Sequence, residues 1–429
     1  DDDDPVVRQN AAAGVRSLTP QPAIDALCAH WVEGRDERLG SLIAECGYVA
    51  SRPAATRVLS ALLAGKTGNL DLNADAFPLL LAALDDEDER VRRGAAAGLR
   101  SLQEQPAIDA LCGAWADSRE GRLAEIIAES GYVARQPLAI RVLTALLCGS
   151  IAPSELSRET VPVLVEAMGD EDERVRAGAD AALRSLQGQV AINALCAAWA
   201  KGRDVTLGAI ISDCRFIAAE PLKLRVLSGL QSDALTGATA QVEDVAVLIT
   251  ALGDRDPRIR QRAALTLRTL ECPEAIDALC EAVIAKPSGP GAAVVEEGGH
   301  RHSVVSRRCL VYLLTGQIER YIDLDYDLQY ARAEYRAGDE TLKAAIAEAV
   351  RRSGDQRLAG ILLQPATSAG PISKRASELT EHEAGVVVEV YARHGRWHDV
   401  LELLFHMPLC AVPPALSTLR KAQWVPDDP

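Results

Sequence analysis

The chain has 429 residues, with 46 Lys plus Arg against 61 Asp plus Glu and a formal net charge of −15. That balance argues against a general nucleic-acid binder, which needs a basic footprint. Hydrophobic residues make up 48%, enough for a core, so wholesale disorder is excluded, and no run of 18 apolar residues predicts a membrane span. Only 4% of the residues are aromatic, so the core must be built from Ala, Leu and Val.

An internal repeat organises the chain. Asp85–Ala116 reads DDEDERVRRGAAAGLRSLQEQPAIDALCGAWA, and Gly169–Ala200 reads GDEDERVRAGADAALRSLQGQVAINALCAAWA. Asp1–Val32 is the same unit, and a further copy opens at Gly253. Cys28, Cys112, Cys196 and Cys280 are each 84 residues apart. Arg8, Arg92, Arg176 and Arg260 keep the same interval. Within one copy the apolar spacing predicts helices at Val91–Leu102, Pro106–Ala116, Arg122–Ala134, Pro137–Leu147 and Val161–Met168. Two helical hairpins of about 42 residues fit in such a unit, and strand alternation is absent from the copies.

Val161–Leu186, VPVLVEAMGDEDERVRAGADAALRSL, resembles a HEAT repeat of the kind also found in the phycobilisome-lyase-like group. The matching features are an apolar helix, Gly-Asp, an acidic turn, Val-Arg, and Ala-rich spacing that ends in Leu. The resemblance covers Asp1 to about Ile284 and is of bacterial type. It implies an all-α fold, an α-solenoid of helical hairpins, and a binding or scaffolding role without one fixed activity. In that family the Asp of the turn and the Arg of Val-Arg form ladders between neighbouring repeats. Asp88, Asp172 and Asp256, with Arg8, Arg92, Arg176 and Arg260, match those positions.

Small residues from Gly94 to Gly98 allow close helix approach, which accounts for a core poor in aromatics. Asp86/Asp88, Asp170/Asp172 and Asp254/Asp256 sit where carboxylates cap a helix N-terminus. Trp31, Trp115 and Trp199 each follow the repeated Cys by three positions, on the same helical face. The series stops at Val283, as a packing layer tolerates and a stacking site does not.

The regular array is expected to span 1–285. Residues 286–302 carry KPSGPGAAVVEEGGHRH and predict a long inserted loop in place of a helix. His300 and His302 lie in it and are candidate contact residues. Helical pattern resumes over Ser303–Thr315, where Arg308 echoes Arg225, and irregular repeats are expected over 303–363. Tyr321, Tyr326, Tyr330 and Tyr335 crowd one segment, either as ordinary packing or as a contact patch for a protein partner. Residues 364–377 read as a linker, and 378–429 as a helical cap or the lead into another domain. The first copy opens where a preceding helix should just have ended, which suggests a segment of a larger multidomain protein.

No catalytic constellation emerges. Asp323, Asp325, Asp327 and Glu334 have calcium-loop spacing, but Leu328 replaces the glycine of the sharp turn. His394 and His398 share a helical face, yet HExxH is absent. A single His382-Glu383 pair is too few for the HEAT-like deoxyhypusine hydroxylases. The cysteines lack CxxC and lie too far apart along the array for disulfides, so buried thiols of a reducing compartment are expected.

These observations predict a cytoplasmic interaction scaffold or regulatory module that is not an enzyme and takes no metal or cofactor. Its acidic turns suit a protein partner with a basic segment. Two further readings stay open: a lyase subunit or chaperone of chromophore attachment, and a nucleic-acid-binding solenoid, which the charge disfavours.

Overall fold

The computed structural model describes residues 4–69, 76–363 and 379–421. Among them there are 26 α-helices and no strand. The chain divides into two compact units, Asp1–Gly202 and Arg203–Pro429.

In the first unit, the copy that opens at Asp85 contains five helices: Glu89–Arg100, Gln105–Ser118, Gly121–Ser130, Leu138–Leu147 and Val161–Ala167. Each lies within a few residues of its expected position. The fourth helix is not half of a simple hairpin. It packs against the second, third and fifth helices and also against Glu173–Arg184, the first helix of the next copy. Each unit of 84 is therefore two hairpins plus an intercalated helix.

Local chemistry sets the helix ends. The Asp88 carboxylate accepts the Arg90 N–H at 2.8 Å, and Asp4, Asp172 and Asp256 cap the corresponding helices. Such a cap stabilises a helix by about 1 kcal/mol. Along that helix Val91, Ala95 and Leu99 are spaced four apart and fully buried, while the opposite face carries charge. The third helices end on left-handed residues, Gly47, Gly131 and Arg215. Cis peptide bonds precede Pro53, Pro137 and Pro221, just before the fourth helices.

Consecutive copies meet at the C-terminal end of the fourth helix. A Cβ on Gly94 would lie 2.5 Å from the Leu62 carbonyl oxygen, and one on Gly178 would lie 3.2 Å from that of Leu146. In the second unit Arg262 occupies this register and donates to the Leu230 and Gln231 carbonyls at 2.9 and 2.6 Å. The carbonyl of Leu314, 84 residues after Leu230, is also met by an arginine, Arg352 at 3.3 Å, but six positions beyond the Arg262 register. Leu230 and Leu314 are 84 apart, so Cys309 rather than Arg308 stands at the Arg225 position.

The stretch 286–302 is not a long loop. Gly291–Gly298 is a helix that fills the third-helix position, ends on the left-handed Gly299, and buries Val294 and Val295. Glycine within a helix costs about 1 kcal/mol, whereas each buried valine contributes roughly 1.5–3 kcal/mol. Packing therefore overrides a composition that locally suggests a loop. The helices Val305–Leu314, Ile318–Leu324, Gln329–Ala337 and Glu340–Ser353 follow, then three at the end, Glu381–Arg393, Trp397–His406 and Val412–Lys421. The expected linker at 364–377 lies outside the described residues.

Gly94→Ala forces its methyl against backbone and is expected to destabilise the protein by about 1–3 kcal/mol. Gly113 lies in a helix with open space around it. Gly113→Ala should stabilise by about 0.5–1 kcal/mol. Urea midpoints at constant m-value test the pair; an unchanged midpoint for Gly94→Ala would sink the close-approach account.

Candidate functional site

The repeated charges are spent on structure. Arg92 Nη1 donates to the backbone carbonyls of Asp86 and Glu87 at 2.7 and 2.8 Å. Arg176 and Arg260 clamp their own turns in the same way. They do not make the inter-copy ladder expected of the Val-Arg arginine. Asp88, Asp172 and Asp256 are helix caps, and hydrogen bonds from Arg90 and Arg174 hold the Asp88 and Asp172 carboxyls below the usual range.

A different arginine joins the copies. Arg35 pairs with Asp86 at 2.9 Å, Arg119 with Asp170 at 3.0 Å, and Arg203 with Asp254 at 2.5 Å. Each stands just after a second helix in the left-handed region, at φ 48, 54 and 52°. The guanidiniums of Arg35 and Arg119 lie 4.8 Å from the ring centres of Trp31 and Trp115. A short tether and a stacked ring thus aim each cation at the next acidic turn. Trp31, Trp115 and Trp199 are fully buried, as the packing reading expects. Sequence reasoning missed this triad, although the interval of 84 between the arginines was there to find.

The candidate contact residues do not form one surface. Tyr321 is fully buried, and its hydroxyl donates to Asp325 Oδ2 at 3.0 Å; burial, reinforced by Asp325, raises its pKa. Asp325 also accepts the Tyr330 and Ala331 N–H groups, so it is a buried helix-start carboxylate rather than a calcium ligand. Tyr335 is buried as well; Tyr326 and Tyr330 alone of the four are exposed. His300 and His302 are buried, at 6% and 5% exposure, which removes them as mobile contacts. His300 stands 84 residues after Phe216 and 168 after Tyr132. The Tyr132 hydroxyl lies 2.6 Å from the Arg100 carbonyl, and His300 Nε2 donates to the Leu267 carbonyl at 2.6 Å. The imidazole therefore takes over a tyrosine's role at a helix end. His302 Nδ1 accepts the Val304 N–H at 3.0 Å, and its Nε2 lies 3.2 Å from Glu281.

No group of three His, Cys, Asp or Glu residues among the described residues is arranged to hold a metal ion. Cys28, Cys112, Cys196, Cys280 and Cys309 are buried, and Cys410 is exposed. Burial pushes the Cys112 and Cys280 thiols up to about 12, so they carry no nucleophilic thiolate near neutrality.

Two open concavities stand out among the described residues. One, of about 480 Å³, is lined by Glu348, Arg351, Glu381, His382 and Thr418. Its Glu348 is engaged by Arg351 through two hydrogen bonds, of 2.8 and 2.7 Å. The other, of about 560 Å³, lies between the helices Pro5–Arg16 and Glu37–Cys46. Ala11, Ala12, Val15, Leu39 and Leu42 form its floor, and Arg8, Arg38, Asp36 and Glu45 its rim. An apolar floor inside a mixed charged rim is the arrangement of a protein contact. This groove is the candidate site.

The HEAT repeats family matches residues 48–130, and the PBS lyase HEAT-like repeat family matches residues 259–284. No curated protein matches the chain. Among the described residues no helix is long and apolar enough to cross a membrane.

Removing Arg119 leaves Asp170, whose side chain is 5% exposed, without its cation. Arg119→Ala is expected to cost about 2 kcal/mol. Arg119→Gly should cost about 1 kcal/mol less, because glycine adopts the left-handed conformation without strain. Denaturant unfolding of both variants checks the order; equal losses would refute the strain component. Iodoacetamide at pH 8 should modify Cys410 within minutes and spare Cys112 and Cys280 until denaturant is added, as peptide mass spectrometry will show.

Proposed function

We propose, from the premise that this is a HEAT-repeat protein, that it works as a non-catalytic interaction scaffold whose partners are proteins. HEAT arrays commonly serve as interaction surfaces, since stacked hairpins present an extended surface at little conformational cost. The observation that carries the reading is the use made of the polar residues. At each copy Asp, Arg and Tyr or His side chains close turns, cap helices or join neighbouring copies. What remains open is a groove with an apolar floor.

The acidic turns still support a partner with a basic segment, though with fewer charges than their sequence suggests. Asp86 and Asp88 turn inward to Arg35 and Arg90, while Asp85, Glu87 and Glu89 remain exposed. A cytoplasmic setting belongs to the same proposal. Against a nucleic-acid role stands the net charge of −15, since a duplex repels such a surface except where cations cluster.

Size-exclusion purification from the native host at moderate salt tests the scaffold. A protein should co-elute in stoichiometric amount, unaffected by nuclease, with no excess absorbance at 260 nm. Nuclease-sensitive co-elution would replace the scaffold with a nucleic-acid function. A visible chromophore band retained by the purified chain would favour the lyase-related reading instead.

A further inference from the structure

The acidic turn that opens each copy changes character at Gly253. Glu87 and Glu89 recur as Glu171 and Glu173, all exposed, but 84 residues later the same registers hold Arg255 and Pro257. The third helix of the preceding copy changes with the turn. Val205 stands at the register of Glu37, and Ala209 at that of Ser41 and Glu125. Four registers that carry a carboxylate in an earlier copy therefore carry none here.

One arginine of each later copy depends on those registers. Arg90 grips the Asp88 carboxylate through Nε and Nη2 at 3.2 and 2.8 Å, and its Nη1 donates to Ser41 Oγ at 3.0 Å. The Asp88 hydrogen bond, helped by the Asp88 and Glu37 charges, raises its pKa. Arg174 grips Asp172 in the same way, and the Asp172 hydrogen bond, helped by the Asp172 and Glu125 charges, raises its pKa too. Arg258 comes next in the series and has none of these partners. Asp256 accepts only its backbone N–H, at 2.8 Å. Arg255 and Arg258 are both exposed, and neither side chain makes a hydrogen bond or ion pair with a described residue. The other charges of the turn are committed: Asp254 pairs with Arg203 at 2.5 Å, and Arg260 closes the carbonyls of Asp254 and Arg255. That Arg203 pair also ties the turn to the start of the helix Val205–Cys214, whose Val205 is 80% exposed.

We propose that Arg255 and Arg258 dock an acidic segment of a partner protein, whose carboxylates meet the two guanidiniums and whose apolar side chain rests on Val205 and Ala209. The partner supplies from outside the carboxylates that earlier copies supply from within. A guanidinium fork takes a carboxylate through two charge-assisted hydrogen bonds, which makes the contact directional. Charge complementarity selects this occupant. A basic segment would meet like charges here, and a duplex would bring its phosphates against a chain of net charge −15. The proposal rests on the scaffold reading and names one partner class. It uses no residue of the groove or of the turns at Asp85 and Gly169, so it can fail by itself.

The test uses the whole chain and a fluorescent peptide of repeated Glu-Glu-Leu-Ala, followed by anisotropy at about 0.15 M salt. The Debye length there is about 8 Å, so distant carboxylates of the chain are screened while direct contacts persist. Saturable binding is expected, and the same peptide with Gln in place of Glu should bind at least about tenfold more weakly. The double variant Arg255→Gln, Arg258→Gln removes charges without internal partners, so it should leave the unfolding curve intact while weakening the acidic peptide at least about tenfold. Ala209→Glu restores the carboxylate that Arg174 has in Glu125, and it should weaken the peptide by occupying Arg258 from within. Arg135→Gln changes an exposed arginine elsewhere and should bind like the parent. No binding by the parent chain, equal binding of the Gln peptide, or equal binding by either the double variant or Ala209→Glu overturns the proposal. Duplex DNA that binds more tightly than the peptide, and loses its affinity in the double variant, would assign the arginines to nucleic acid instead. A stoichiometric partner that co-purifies equally well with the double variant would leave the scaffold standing and overturn only this site.

Discussion

Everything regular in this protein depends on how closely one copy can approach the end of the fourth helix of the copy before it. The last carbonyls of that helix have no intrahelical donor and must be covered or satisfied. At Gly94 the next helix comes so near that only hydrogen fits beside the Leu62 carbonyl, and at Gly178 an added methyl would press tightly on that of Leu146. At Arg262 the spacing is bridged by a guanidinium that donates to the corresponding oxygens. Small residue and long donor are two solutions to one problem. The choice between them sets how far apart the backbones stand.

Around that joint the charged residues act as fasteners. After the second helix of the first three copies an arginine, Arg35, Arg119 or Arg203, reaches the acidic turn of the following copy, and a partly buried pair of this kind is strong only while both partners remain. The turn's other aspartate caps the next helix, and its Val-Arg arginine closes the turn's carbonyls. A charge-rich sequence thus has much of its charge committed internally.

Much of the fold was legible. The interval of 84 held through four copies because each register has one job, so Cys28 and its successors recur as buried packing residues. Helix positions followed from apolar spacing and from the capping aspartates. The candidate site was less legible. Four tyrosines close in sequence looked like a patch, but Tyr321 and Tyr335 turn inward and Tyr326 and Tyr330 outward. Adjacency along a chain says little about which side a ring takes once helices are short and turn sharply. His300 was misread for the opposite reason: its glycine-rich neighbours suggested a loop, although its distance from Tyr132 placed it at a helix end.

The sequence by itself determined the helical class, the length of the repeat, the capping turns and the buried Cys–Trp layer. These depend on short-range periodicity and on residue types that tolerate few alternatives. Only the tertiary structure decided that the fourth helix is intercalated, that Arg35, Arg119 and Arg203 are the residues that join copies, and that Gly291–Gly298 is helical. Each of those outcomes turns on contacts between residues tens of positions apart. Close approach and burial outweigh local preference there, and neither can be read from neighbours in the chain.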